Sequence, residues 1–227
     1  MKRVVFLLHL MQAFMPSLLF NIKFLPLRQA LRMPILIYKG KITVVGGVKI
    51  CNPIIRFGMI KLGFPTSAVY PNSGIRIENK GELAFKGKCR IGNDSSIVCG
   101  CHGSIEFGDN FIATAGLKVL SVKSIVFGKD VLVGWENTFT DDTHATYFTQ
   151  KTAAISIGNN NWFAMRCFVM PGVSTSDNCV FGAMSEVSDN IEYQANCLYG
   201  GEPIRMLSRD VMRIVGKDSI KDYSKDQ

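Results

Sequence analysis

The first 77 residues contain no aspartate or glutamate, although they hold eleven of the chain's 26 lysines and arginines. All 18 acids fall in the remaining 150 residues, so a basic segment precedes a mildly acidic body. Histidine is scarce, with only His9, His102 and His144. A three-histidine metal site would have to recruit His9 from the apolar N-terminal run, and no metal is expected. Tryptophan is limited to Trp135 and Trp162, and proline to eight residues. The seven cysteines are odd in number and lack paired spacing. A chain of 227 residues has no need of staples, so a disulfide framework is not expected and a reducing compartment fits. No run of apolar residues matches a comfortable membrane span. Residues 4–20 are interrupted by His9, Gln12 and Pro16. A signal-peptide cleavage site is also missing.

What is present divides the chain in three. Residues 1–70 read as a basic, apolar helical extension broken by Pro16, Pro26 and Pro34. Lysine and arginine among leucine and phenylalanine suit an anionic membrane surface better than nucleic acid, for which no motif is visible. Sealing the end of the domain is the competing use of the same apolar residues. Residues 71–203 carry short apolar pairs separated by turns, and no helical period persists. A unit of apolar residue, glycine and two polar residues recurs at Ile91-Gly92-Asn93-Asp94, Phe107-Gly108-Asp109-Asn110, Phe127-Gly128-Lys129-Asp130 and Ile157-Gly158-Asn159-Asn160. From Ile157 the register is six: Ile157, Phe163, Val169, Thr175, Phe181, Val187 and Tyr193. Four positions after each of the first five stand Asn161, Cys167, Val173, Cys179 and Ser185, small enough for tight corners. Phe127, Val133 and Phe139 keep the same step.

A period of six with alternating large and small residues predicts an all-β solenoid with triangular coils, stabilised by stacking on its neighbours. Cys167 and Cys179 then read as small buried hydrophobes. Residues 145–154 break the repeat and predict a loop leaving the solenoid.

These residues resemble the left-handed β-helix acyltransferases of the hexapeptide-repeat type, and within them the O-acetyltransferases of galactosides, maltose and surface polysaccharides. The stretch Val133 to His144, the coil opening Ile157 to Trp162, Pro171-Gly172-Val173 with Asn178 and Gly182-Ala183, and Gly200-Gly201-Glu202-Pro203 carry the resemblance. The chain departs from the family with Ala164, Met184 and Asp189, and with adjacent acids Asp141 and Asp142.

The resemblance implies a left-handed parallel β-helix, followed over residues 204–227 by a C-terminal helix and tail, that binds acetyl-CoA and acetylates a sugar hydroxyl of a bacterial surface glycan or its lipid-linked precursor. His144 would be the general base, because a neutral imidazole titrates near physiological pH. Asp142 would orient it, while Asp141 faces the other way. Trp135, Asn137 and Asp141 are expected at the acceptor. Trp162, Ala164, Gly182, Ala183, Ser188 and Arg205 are expected along the cofactor. The implied assembly is a homotrimer in the cytoplasm, peripheral on the inner face of the membrane, with Tyr147 and Phe148 reaching a neighbour. An N-acetyltransferase on an amino or nucleotide sugar, and a non-catalytic scaffold, are the alternatives. His102 beside Cys99 and Cys101 is read as a turn histidine next to two inward cysteines.

Overall fold

The computed structural model describes residues 2–66, 69–143, 151–216 and 219–222, with side chains over 7–66, 69–143 and 151–216. The chain opens with α1 (Lys2–Phe24) and α2 (Leu27–Ala30). Pro16 lies inside α1 without ending it, contrary to expectation; its ring is on the exposed side. Pro26 caps α2, and Pro34 precedes the first strand.

Seven successive turns of a left-handed parallel β-helix follow, and a last strand opens an eighth. The first comprises β1 (Ile35–Ile37), β2 (Gly40–Val44) and β3 (Gly47–Ile50). The second comprises β4 (Ile60–Phe64), β5 (Ile75–Asn79) and β6 (Glu82–Phe85), and the third β7 (Cys89–Gly92), β8 (Ser95–Cys99) and β9 (Ser104–Phe107). Next come β10 (Phe111–Ala113), β11 (Lys118–Ser121) and β12 (Ile125–Phe127), then β13 (Leu132–Val133), β14 (Thr138–Thr140) and β15 (Ile155–Ile157). Strands shorten to two residues in β16 (Trp162–Phe163), β17 (Phe168–Val169), β18 (Val180–Phe181) and β19 (Glu186–Val187), before β20 (Cys197–Gly200). The first face of the prism runs β1-β4-β7-β10-β13-β16-β18-β20. The second runs β2-β5-β8-β11-β14-β17-β19, and the third β3-β6-β9-β12-β15.

Two expected boundaries change. The solenoid begins at Ile35 rather than near residue 71, because residues 35–64 already supply four short strands rich in β-branched residues. The expected C-terminal helix is absent from the described residues. In its place β21 (Arg205–Arg209) pairs antiparallel with β20, and β22 (Val211–Ile214) pairs with β23 (Ser219–Asp222). Alternation decides this: Val211 and Arg213 are buried while Met212 and Ile214 are half-buried, a period of two that suits a strand.

The core follows the sequence register. Ile157, Phe163, Val169, Thr175, Phe181, Val187 and Tyr193 are all buried, as are the corner residues Asn161, Cys167, Val173, Cys179 and Ser185. Burial pushes the thiol of Cys167 up to about 11 and that of Cys179 up to about 12, which leaves both protonated and inert. A column of rings runs through the interior: Phe85, Phe107 and Phe127 stack at 5.6 and 5.3 Å, Phe139 bridges to Phe163 at 5.1 Å, and Phe163 stacks on Phe181 at 4.5 Å.

The glycine-polar-polar repeat is a corner. A side chain at Gly108 would meet the Gly128 carbonyl oxygen at 2.1 Å, so only glycine lets consecutive coils approach there. Two residues on, Asp94, Asn110, Asp130, Asn160 and Asn178 adopt φ between 53° and 60°, a region that asparagine and aspartate tolerate best. Their side chains form ladders up the edge, Asn160 to Asn178 and Asn178 to Asn196, each at 2.9 Å.

Candidate active site

Thr143 and Lys151 stand side by side at the corner between the second and third faces. The loop base is closed by an antiparallel bridge between Asp142 and Thr152. Lys151 N–H donates to Thr143 Oγ1 at 3.0 Å, and Thr143 N–H to the Lys151 carbonyl at 3.1 Å. His144 itself, with Tyr147 and Phe148, lies outside the described residues.

The two adjacent acids diverge, as their alternation predicts. The Asp142 carboxylate is buried, and its Oδ1 accepts a 2.5 Å hydrogen bond from Thr152 Oγ1. Its backbone is pinned by Thr140, whose hydroxyl donates to the Asp142 carbonyl at 2.7 Å. A buried carboxylate thus sits at the loop base, two residues before His144, on a rigid strand end. Such a group suits holding and orienting an imidazole.

Asp141 points into the coil below. It is wholly buried and accepts four hydrogen bonds: from Ser121 Oγ at 2.9 Å, and from the N–H groups of Val122 at 2.7 Å, Lys123 at 2.9 Å and Ser124 at 2.7 Å. The expectation that Asp141 meets the acceptor is therefore corrected. Its lone pairs are consumed by the preceding coil's turn.

Asn137 is corrected in the same way. It is fully buried in the corner between the first and second faces. Its Nδ2 donates to the Ala164 carbonyl at 2.7 Å, and its Oδ1 accepts from Cys167 N–H at 2.9 Å. Asn161 repeats the pattern at the corner between the third and first faces, accepting from Cys179 N–H at 2.6 Å. These amides join coils and face no solvent.

Trp135 remains available, with about a third of its surface exposed (37%). The Tyr70 ring meets it edge-on at 5.8 Å. Beside it, Arg166 Nε donates to Glu136 at 2.5 Å, and this guanidinium, followed by the Tyr70 hydroxyl, holds the Glu136 carboxyl below its usual range. Tyr70, Glu136 and Arg166 were not singled out by sequence, since nothing in their local motifs shows that three coils bring them to one corner.

The expected cofactor residues separate into groups. Ala164, Gly182 and Ala183 occupy successive coils at the Trp135 corner, and Trp162 lies on the outer side of the first face, between Leu132 and Val180. Ser188 lies at the far end of the second face, next to Asp189, which pairs with Lys151 Nζ of the loop base at 2.5 Å. Arg205 is exposed at the start of β21. A cavity of about 480 Å³ near the top of the solenoid is lined by Glu186, Ser188, Asn190, Ile191, Pro203 and Ile204, among others. Asp142 and Trp135 thus stand at opposite ends of β14, and one copy of the chain does not bring them together. His102 is exposed beside buried Cys99, but Cys101 is exposed too, which corrects its inward placement.

No protein-family model matches the chain. In sequence it is similar to the galactoside O-acetyltransferase of Escherichia coli K12, at 29% identity over 110 residues covering 46% of this chain and 53% of that protein. It is also similar to WbbJ of the same organism, a candidate lipopolysaccharide biosynthesis O-acetyl transferase, at 24% identity over 53% of this chain and 76% of that one. A solved galactoside acetyltransferase in complex with coenzyme A aligns with a TM-score of 0.43 at 20% identity, over 71% of this chain and 66% of that one. The match spans about half the length of the first of these curated relatives. The chain resembles the hexapeptide-repeat acetyltransferases in sequence and in fold.

Proposed function

From a β-helix similar to sugar O-acetyltransferases, we propose that this protein is an acetyl-CoA-dependent O-acetyltransferase acting on a sugar hydroxyl of a bacterial surface glycan or its lipid-linked precursor. The observation that carries it is the loop base. A buried Asp142, fixed by Thr152 and Thr140, stands two residues before the only histidine in the loop. In this scheme His144 removes the acceptor proton as the hydroxyl oxygen attacks the thioester carbonyl. The acyl C–S bond then breaks, and coenzyme A leaves as the thiol once the proton is returned to sulfur. Asp142 acts through His144 as a positioning residue.

The residues suit the donor in parts. Ala164 and Ala183 leave an edge on which a slender pantetheine arm passes close to backbone. The cavity at Ser188 offers Ile191, Pro203 and Ile204, while its carboxylates Glu186 and Glu202 repel phosphate. The donor's phosphates therefore belong with exposed Arg205 beyond it. Trp135 supplies an open aromatic face for a sugar ring. Radiolabelled acetyl transfer to a panel of glycans, amino sugars and lipid-linked sugars tests the reaction. Label on an amine only would turn the assignment to N-acetylation, and no transfer to any acceptor would remove it.

Donor binding is tested separately. Acetyl-CoA at about a hundred times its Kd should raise the melting temperature by about 5–10 °C, since a ligand bound only by the native state stabilises it. No shift at millimolar donor favours a scaffold.

We also assign a cyclic homotrimer. The corner holding Trp135, Ala164 and Ala183 and the corner holding Asp142 lie at opposite edges of the second face, so a site that uses both takes them from neighbouring copies. Exposed Met165, Phe168 and Met184 near that face give such a contact apolar surface. Light scattering should return about three times 25.1 kDa. A fully active monomer would contradict the shared site.

A further inference from the structure

Helix α1 is amphipathic in the reverse sense. Its inward stripe carries Ala13, Ser17, Phe20 and Asn21, all buried, and its polar members do the joining. Ile37 N–H donates to Ser17 Oγ at 2.8 Å, Ile35 N–H donates to Asn21 Oδ1 at 3.2 Å, and Asn21 Nδ2 donates to the Ile35 carbonyl at 2.7 Å. β1 is the end strand of its sheet, and these side chains take up backbone groups that would otherwise face an open edge. Sealing the solenoid therefore uses Ser17 and Asn21 together with Phe20 and Leu25. It leaves Leu8, Met11, Met15 and Leu19 outside, between 54% and 74% exposed, with Leu7, Phe14 and Ile22 beside them. A cap alone would carry polar residues there.

Charge selects the occupant. Exposed Lys23, Arg28, Arg32 and Lys39 flank the apolar face, and no acid occurs before Glu78. Through Arg32, which donates to the Ile55 carbonyl, α2 adjoins a cavity lined by Arg56, Lys88 and Arg90. Two such faces pressed together would set cation against cation, which disfavours a second copy of this chain as the cover. An acidic lipid surface offers both hydrocarbon and negative charge. Among the described residues no helix is long and apolar enough to cross a membrane, so the geometry is that of lying in the interface. We infer that the outward face of α1, with its basic rim, docks the protein on an anionic lipid surface. This does not rest on the acyl-transfer reading, although it would bring the solenoid to lipid-linked acceptors.

The test is flotation of the full chain with vesicles of phosphatidylglycerol mixed with phosphatidylcholine, or of phosphatidylcholine alone. Binding to the anionic vesicles, weakened by salt, is expected. L8Q/M11Q/M15Q/L19Q should lower the partition by at least about tenfold, because the replaced side chains enter the lipid. Its melting temperature should hold, because these residues touch little of the fold. K23E/R28E should lower binding to anionic vesicles as well. Acetyl transfer to a soluble acceptor, measured without lipid, should be the same in all three proteins, which keeps this proposal separable from the catalytic one. Absence of wild-type binding at low salt, equal binding to both vesicle types, or a quadruple variant that floats like wild type would each overturn it. A lipid-free oligomer abolished by the quadruple substitution would assign the face to a second copy instead.

Discussion

Asp141→Ala is expected to lower the melting temperature by about 10–15 °C, or to prevent folding, rather than to weaken substrate binding. The substitution removes four hydrogen bonds to one buried carboxylate, three of them from consecutive backbone N–H groups. Bonds to a charged acceptor contribute about 1.5–3 kcal/mol each, but they are not additive, and water reaches part of the vacated turn. A net loss of about 3–5 kcal/mol is a fair magnitude, and a domain of this size loses roughly 2–4 °C per kcal/mol. Asp141→Asn should also destabilise, since its amide turns a donor toward donors while preserving volume. If Asp141→Ala melts within about 2 °C of wild type and its KM for the acceptor rises tenfold, the side chain serves the acceptor and the structural assignment is wrong.

The same pair of acids shows what sequence conveys and what it omits. Alternation said that Asp141 and Asp142 face apart, and they do. It did not say which face has a turn of unpaired N–H groups waiting, because that turn lies 20 residues earlier, in the coil below. Asn137 has an interior place that is legible in its register. It stands four residues after Val133, just as Asn161 stands four after Ile157, and both occupy the inner corner. The catalytic resemblance of the stretch drew it toward the substrate when its register placed it inside.

Register strictness explains the remainder. Above the loop, coils repeat every 18 residues, and the ladder from Asn178 to Asn196 keeps that step. Below, Asn110 reaches Asp130 over 20 residues and Leu117 reaches Ser95 over 22. Longer corners there blur the hexad while leaving the strands intact, so β1 to β4 passed as part of an extension. The helix expected over residues 204–227 rests on the family resemblance, while Val211 to Ile214 carry the alternation of a strand. Packing of β22 against the solenoid, where Asn160 Nδ2 donates to the Arg213 carbonyl at 3.1 Å, favours that strand.

His144→Ala should reduce acetyl transfer by about 10² to 10⁴, the contribution of one positioned base. That range corresponds to about 2.7–5.5 kcal/mol of transition-state stabilisation. The loss should appear in kcat and kcat/KM together, because proton removal belongs to the transition state and the acceptor binds without it. Folding should be unaffected, since the interior column and the corner ladders involve no histidine. The thermal shift with acetyl-CoA should also persist, which separates a missing base from a damaged donor site. Asp142→Asn provides the companion measurement. It keeps the volume and an acceptor for Thr152 Oγ1 but removes the charge that favours an imidazolium. Its activity should fall less than that of His144→Ala, and the acidic limb of its kcat/KM profile should move to lower pH, since the base would then lose its proton more readily. The double variant should be little worse than His144→Ala alone, because a positioning residue has nothing left to position. His144→Ala retaining activity within tenfold of wild type would remove the general-base assignment. Independent, multiplicative losses from the two substitutions would separate Asp142 from the histidine it is proposed to hold.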